Sequence, residues 1–401
     1  MKAKLTIAAL MCGTMIAGFG GVSHAQDDKL TIGFAVAFSG WMEAYDSEAT
    51  KMAQLWIEQT NAKGGLLGQQ IEVKTADTKT DRVEGAKAGN AMIQEGADLL
   101  IYSADYDYGA PAALQAQKAG VVSVSLGAAD PKAGILGVGP LSFSATTAGT
   151  LEGATSGEWG YAKKGLRKGY QLIDEAIEYN KSLCLGYEWA FTNAGGEVVG
   201  KDVFKNADAT ISSQVTRLAN AVRDQGADHL MLCSTTPGAA SAIRQIRAAG
   251  IDIPILNGTS MDGTYWISAV PDLKDFYVPV QALTVDDPRA EVNKLTAAYA
   301  AKYGAAPTTQ YAYPIYAWLQ LWAKAVETAG TTEGSAVVDV MNTYTDAPTI
   351  FGPRTFTDKV HIQTQIPLTI TSYQDGKQTA VEEWRISAPI PDAVLYRLKA
   401  E

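Results

Sequence analysis

From Leu30 onward, short strand-like runs alternate with longer helix-like ones, and that alternation restricts the chain to parallel sheets covered by helices on both faces. Leu30, Ile32, Phe34, Val36 and Phe38 alternate with small residues, a period of two that marks a strand stopped by Ser39-Gly40. Ala49, Met52, Ala53 and Trp56 then recur at three- and four-residue steps, one face of a helix closing near Lys63-Gly64-Gly65. Ile71 and Val73 open a second strand, 83–93 reads as a helix, 99–102 as a strand, 110–119 as a helix and 121–125 as a strand. The result is a β-α-β-α-β-α-β run.

A second run of the same kind follows Phe143. Helices are expected at 149–162, 178–194 and 211–225, with strands at 170–173, 198–204 and 229–233. Thr236 and Pro237 form a suitable cap and first-turn pair for a helix that stops at Gly250, and 253–256 is the next strand. The first lobe is expected to resume around 276–280, with helices opening at Asp287-Pro288 and near Pro314. From Thr355, strands near 366–371 and 380–384 give the chain length enough to return to the second lobe.

The N-terminus carries the three parts of an export signal: Lys2 and Lys4, an apolar stretch over 5–19, and small residues at Ser23-His24-Ala25 with cleavage expected after Ala25. The apolar run is too short and too broken by glycine for a membrane span, and Met11 before Cys12 argues against a lipid anchor. Loss of Lys2 and Lys4 takes the net charge from −10 to −12. An acidic surface of that kind disfavours nucleic acid and anionic lipid, which leaves small molecules and proteins as partners. Cys184 and Cys233 survive processing into an oxidising compartment, where two thiols either pair or stay free; spacing does not decide between them. About 375 mature residues exceed one hydrophobic core, so two lobes are expected: 26–145 with 280–352, and 146–279 with 353–401. No low-complexity linker separates them, so the chain crosses between lobes more than once.

Several ordered strings now bear on family. Ile32-Gly33-Phe34, Gly64-Gly65-Leu66-Leu67-Gly68-Gln69-Gln70-Ile71, Ala119-Gly120-Val121, Ser125-Leu126-Gly127-Ala128-Ala129-Asp130-Pro131, Ala194-Gly195-Gly196-Glu197-Val198-Val199-Gly200 and Gln214-Val215-Thr216-Arg217-Leu218 together resemble type I periplasmic binding proteins of the branched-chain amino acid class. The resemblance spans nearly the whole mature chain. It implies two Rossmann-like, doubly wound α/β lobes joined by three crossovers, a ligand in the cleft between them, and delivery to an ABC permease with a cytoplasmic ATPase.

In parallel α/β sheets ligands sit beyond the carboxyl ends of the strands. The amides of Gly127 and Ala128 could approach a ligand carboxylate there, or the loop could be an ordinary tight turn. This chain has Ala129 where the resembled family often has Thr, and Tyr108 where it has Ser. Both departures remove hydroxyls that would grip an α-carboxylate, which argues against plain leucine or valine. Trp41, Tyr45, Tyr102, Tyr106, Tyr108, Tyr179 and Trp266 crowd the same loops, and such rings can sandwich an apolar or planar solute. Tyr179 matches the resembled family's Tyr-Gly position, with Asn180 for the Gly, whereas Tyr102 and Trp266 read as core. Asp105, Asp107 and Asp262 could accept from a ligand ammonium or be merely solvated; Thr235 and Thr236 could contact ligand or only cap a helix; Ser260 lies near the resembled family's acidic ammonium partner.

An enzyme finds little support. His229 and His361 are the only mature histidines, and there is no HExxH, no paired Cys cluster and no GxSxG elbow. The 134–139 glycine cluster opens no helix after a strand and reads as an interlobe loop. The expectation is therefore a monomeric, exported, cofactor-free protein without stable membrane insertion that captures an aliphatic amino acid, an aromatic acid or another small solute by hinge closure. A sensory partner of a membrane receptor and an exported hydrolase are the alternatives.

Overall fold

The computed structural model describes residues 29–374 and 376–398. The expected export signal at 1–25, with Cys12, lies outside the described residues.

The first sheet comprises β1 (Leu30–Val36), β2 (Ile71–Asp77), β3 (Leu99–Tyr102), β4 (Val122–Ser125) and β5 (Ser142–Ser144), all parallel, in the order β2-β1-β3-β4-β5. Between them run α1 (Glu43–Asn61), α2 (Arg82–Gln94) and α3 (Tyr106–Ala119). Every residue of β1 is buried, as a central strand covered on both faces requires.

Residues α4 (Gly149–Ala162), β6 (Lys168–Asp174), α5 (Glu178–Asn193), β7 (Glu197–Phe204), α6 (Ser212–Asn220), β8 (His229–Cys233), α7 (Gly238–Ala248), β9 (Ile255–Leu256) and β10 (Phe276–Val280) build most of the second lobe. The chain returns to the first lobe for α8 (Ala290–Tyr303), α9 (Pro314–Ala329) and α10 (Gly334–Met341), whose Trp318, Trp322 and Met341 pack with Phe34 and Phe143 in one cluster. It ends in the second sheet with β11 (Leu368–Gln374) and β12 (Lys377–Trp384), followed by the short α11 (Asp392–Leu395). That sheet runs β12-β11-β10-β9-β8-β6-β7, with antiparallel pairing only at β10/β11 and β11/β12.

Four local expectations are corrected. The strand expected to reopen the first lobe, β10, pairs instead with β9 and β11 in the second sheet. Pro279 fits there because β9 pairs only with Phe276 and Tyr277, so no neighbour on that side needs its missing N–H. The 134–139 loop joins β4 to β5 within one sheet and is not an interlobe connection. Residues 211–225 are not one regular helix: α6 ends at Asn220 and a π turn, Ala221–Gln225, runs into Gly226 at φ +75°. Thr236 does not cap α7; Pro237 occupies that position, and the Gly238 N–H donates to Asn206 Oδ1 at 3.2 Å.

Cys184 and Cys233 are joined in a disulfide with Cα atoms 5.8 Å apart, tying α5 to the end of β8. Closing 49 residues removes about 4 kcal/mol of chain entropy from the unfolded state. Next to it α4 and α5 meet backbone to backbone: a Cβ on Gly153 would run into Leu183 O, and one on Gly186 into Thr150 O.

The three crossovers occupy 145–148, 281–289 and 342–367. Gln281 bonds to both of the others, donating Nε2 to Thr146 Oγ1 at 2.7 Å and accepting from Arg354 Nη2 at 2.8 Å. Arg354 is 2 % exposed and donates its other contacts to the carbonyls of Phe351 and Pro353. No helix among the described residues is long and apolar enough to cross a membrane.

Candidate functional site

Each sheet reverses its winding at one place, between β1 and β3 and between β6 and β8, and loops leaving these strands face one another. Such switch points are where α/β folds hold ligands. The loop after β1 brings Trp41 and the first turn of α1 Tyr45, β3 leads to Asp105, β6 to Ile177 and Tyr179, and β8 to Thr235; all line one slot with about 280 Å³ of unfilled space, part of it open to solvent.

Tyr45 spans the gap. The Thr236 N–H donates to its hydroxyl oxygen at 3.2 Å, Thr236 Oγ1 lies 2.8 Å from it, and the Ser260 carbonyl lies 3.2 Å away on the same side. Its ring meets Tyr311 edge-on at 5.2 Å and Trp41 at 6.1 Å, and Trp41 in turn meets Tyr108 at 5.5 Å. Burial raises the Tyr45 phenol, so it keeps its proton at neutral pH.

Behind the opposite wall sits Glu152, fully buried in the first turn of α4. It accepts from Tyr179 Oη at 2.8 Å, Thr259 N at 2.9 Å, Thr259 Oγ1 at 3.0 Å and Thr147 Oγ1 at 3.2 Å. Burial raises its carboxyl to about 7 against the opposing pull of these donors. Tyr311 reaches the same cluster from the first lobe, its hydroxyl 3.2 Å from Thr259 Oγ1.

Trp41, Tyr45, Gly127, Ala129, Tyr179, Thr235 and Ser260, all singled out in the sequence, come together along the slot. Five others do not line it. The amides of Gly127 and Ala128, expected to face a ligand carboxylate, donate instead to Ser125 Oγ at 3.2 and 2.7 Å, so Ala128 belongs to a closed turn. Tyr108 packs outside the slot with the Arg82 guanidinium 5.5 Å over its ring. Asp107 accepts the Glu178 N–H across the gap at 2.8 Å and pairs with Arg82 at 3.1 Å, so it is a strut between lobes. Asp262 is another: it accepts from Thr309 Oγ1 at 2.7 Å and from Gln310 N at 2.5 Å, and burial pushes it up to about 8. Thr236 is engaged with Tyr45.

Tyr102 and Trp266 sit in the core, where Tyr102 donates to Ala133 O at 2.8 Å and Trp266 packs on Phe276 at 5.4 Å. Met42, Ile177 and Tyr311 also line the slot, and nothing in their local sequence marks them for it. Among the described residues no group of three or more His, Cys, Asp or Glu side chains could hold a metal ion.

The family described as Periplasmic binding protein matches residues 29–378. The Leu/Ile/Val-binding protein BraC3 of Rhizobium johnstonii is 23% identical over 381 residues, covering 93% of this chain and 99% of its own. The leucine-, isoleucine-, valine-, threonine- and alanine-binding protein of Pseudomonas aeruginosa is 21% identical over 350 residues, covering 87% and 91%. Among solved structures, the branched-chain amino acid transporter substrate binding protein LivJ from Streptococcus pneumoniae, in complex with isoleucine, superposes with a TM-score of 0.77 at 24% identity over 89% of this chain and 99% of that one. A solute binding protein of an ABC transporter from R. palustris, in complex with benzoate, gives 0.75 at 18% identity over 92% and 99%. With its two switch points facing one slot, the chain belongs to the periplasmic binding protein family, as a type I member of the branched-chain amino acid class.

Proposed function

We propose that this protein is the solute-capturing component of an ABC importer. Exported and freed of residues 1–25, it takes up a small solute in the slot, closes around it by a hinge motion, and presents the closed form to a permease with a cytoplasmic ATPase, working as a monomer. The observation that carries this reading is Tyr45: it belongs to the first lobe, yet its hydroxyl contacts Thr236 and Ser260 of the second. Contacts available only when the lobes meet are what a ligand-stabilised closed state needs. By their names the proteins above bind leucine, isoleucine, valine, threonine, alanine or benzoate, so amino acids, aromatic acids and their amides and amines form the search set. The reading needs desolvated rings and hydrogen bonds, and no covalent step.

The test is a thermal-shift screen of the mature protein across that set, followed by small-angle scattering with each hit. A true ligand at a hundred times its dissociation constant should add about 2.7 kcal/mol of stability and reduce the radius of gyration. A ligand that stabilises without compaction would remove the hinge from the proposal; turnover of a solute without stabilisation would replace it with an enzyme.

A further inference from the structure

Among the described residues lining the slot one side chain is Asp, Glu, Lys, Arg or His, and it is acidic. Asp105 is 5 % exposed at the carboxyl end of β3. Its Oδ1 accepts the Tyr108 N–H at 3.2 Å as the cap of α3, while Oδ2 has no hydrogen-bond partner among the described residues. None of the described residues lining the slot is Lys, Arg or His. The charges acting on Asp105 most strongly, Asp107 and Asp130, share its sign. Neighbouring cations are already engaged: Arg82 with Asp107, Lys132 with Glu178, and Arg397 with Asp130 and Glu178. Burial and the nearby Asp107 raise the Asp105 carboxyl to about 8, the response of a carboxylate held without a counter-charge.

The rest of the wall suits a positive charge. The rings of Trp41, Tyr45, Tyr179 and Tyr311 surround the space, and ring faces attract cations. A ligand carboxylate would find the Gly127 and Ala128 amides already given to Ser125 Oγ, and its charge would add to the like charges of Asp107 and Asp130 that already act on Asp105. A free amino acid therefore brings one group that the slot accommodates and one that it does not.

We propose that the slot selects a small organic cation, a protonated or quaternary amine whose charge sits against Asp105 and whose apolar body lies among Trp41, Tyr45, Tyr179 and Tyr311. This rests on the solute-capture reading and narrows its ligand class.

Calorimetric titration of the mature protein with probes of one shape and different charge tests it: benzylamine, benzyltrimethylammonium, benzyl alcohol and benzoate, with isoleucine alongside. Both cations should bind roughly tenfold or more tightly than benzyl alcohol, benzoate and isoleucine. In Asp105→Asn, where the amide still caps α3, the advantage of the cations over benzyl alcohol should collapse. The wild-type ranking decides the matter by itself if the variant folds poorly. Tighter binding of benzoate or isoleucine than of either cation overturns the cation assignment and leaves solute capture standing. Failure of every probe in this series and of the wider amino-acid and aromatic-acid screen overturns both.

Discussion

Glu152 gathers four hydrogen bonds from three residues, and through them it orients Tyr179 and Thr259. Its carboxyl titrates near 7 when folded against 4.5 as the ordinary value, so the folded chain retains a proton that the unfolded chain releases between those limits. Stability from this group is greatest below about 4.5, declines as pH rises through that window and is level above it. Urea unfolding of wild type and Glu152→Gln at pH 5 and pH 8 should show the wild type losing ground at the higher pH by on the order of 3 kcal/mol. An unchanged difference would mean that the donors around Glu152 hold it ionised throughout. Trp41, Tyr45 and Tyr179 were legible from their position just after strands. Glu152 was not, because a glutamate in the first turn of a helix is ordinarily solvated. Tyr311 was equally hidden, since it meets Tyr45 only after the chain has crossed between lobes twice. Ser125 Oγ closing on two amides is also a tertiary outcome that the glycine in the turn does not announce.

At the scale of elements, α4 has the residue choice of a poor helix, with Gly149, Gly153, Gly157 and Gly160 in 14 residues. Each glycine costs up to about 1 kcal/mol relative to alanine in a helix interior. The contact with the α5 backbone accounts for Gly153 and Gly157, where a Cβ would meet the Leu183 and Tyr187 carbonyls, while Gly149 faces the Tyr179 ring and Gly160 the side chains of Leu166 and Leu256. Gly153→Ala is therefore expected to lower stability by about 1–3 kcal/mol in urea unfolding, opposite in sign to the same change on an exposed helix. Because α5 carries Tyr179 in its first turn, ligand-induced stabilisation should fall as well. The bounds of α4 were readable at 149–162 because breakers and apolar residues frame it. The sheet to which β10 belongs was not. Phe-Tyr-Val-Pro-Val is apolar throughout, and its antiparallel partner β11 lies far downstream, so no local pattern distinguishes the two sheets. The start of α7 failed for a related reason: Asn206, from the loop after β7, supplies the bond that Thr236 was expected to make.

Over the whole molecule, the alternation of strands and helices and the two-lobed layout followed from periodicity and length, while the partners of the crossovers did not, since polar side chains in connecting segments are usually solvated. Gln281 is an exception that ties the second crossover to the other two, which meet each other through the backbone of Gln363. Burial lowers the Arg354 guanidinium to about 9, and Gln281→Ala would leave that group with two carbonyl contacts in place of three. The expected loss is about 1–3 kcal/mol in urea unfolding, with a broader spread of interlobe distances by spin-label spectroscopy. A variant with native stability and an unbroadened spread would assign the lacing no mechanical part. As built, the first and third connecting segments share a backbone bridge at Thr147 and Gln363, and the second is tied to both through the Gln281 amide, so bending any one drags on the other two. Three segments laced in this way are expected to turn together, like the knuckles of one door hinge, so that whatever reads the protein from outside needs to sense only how far that door has turned.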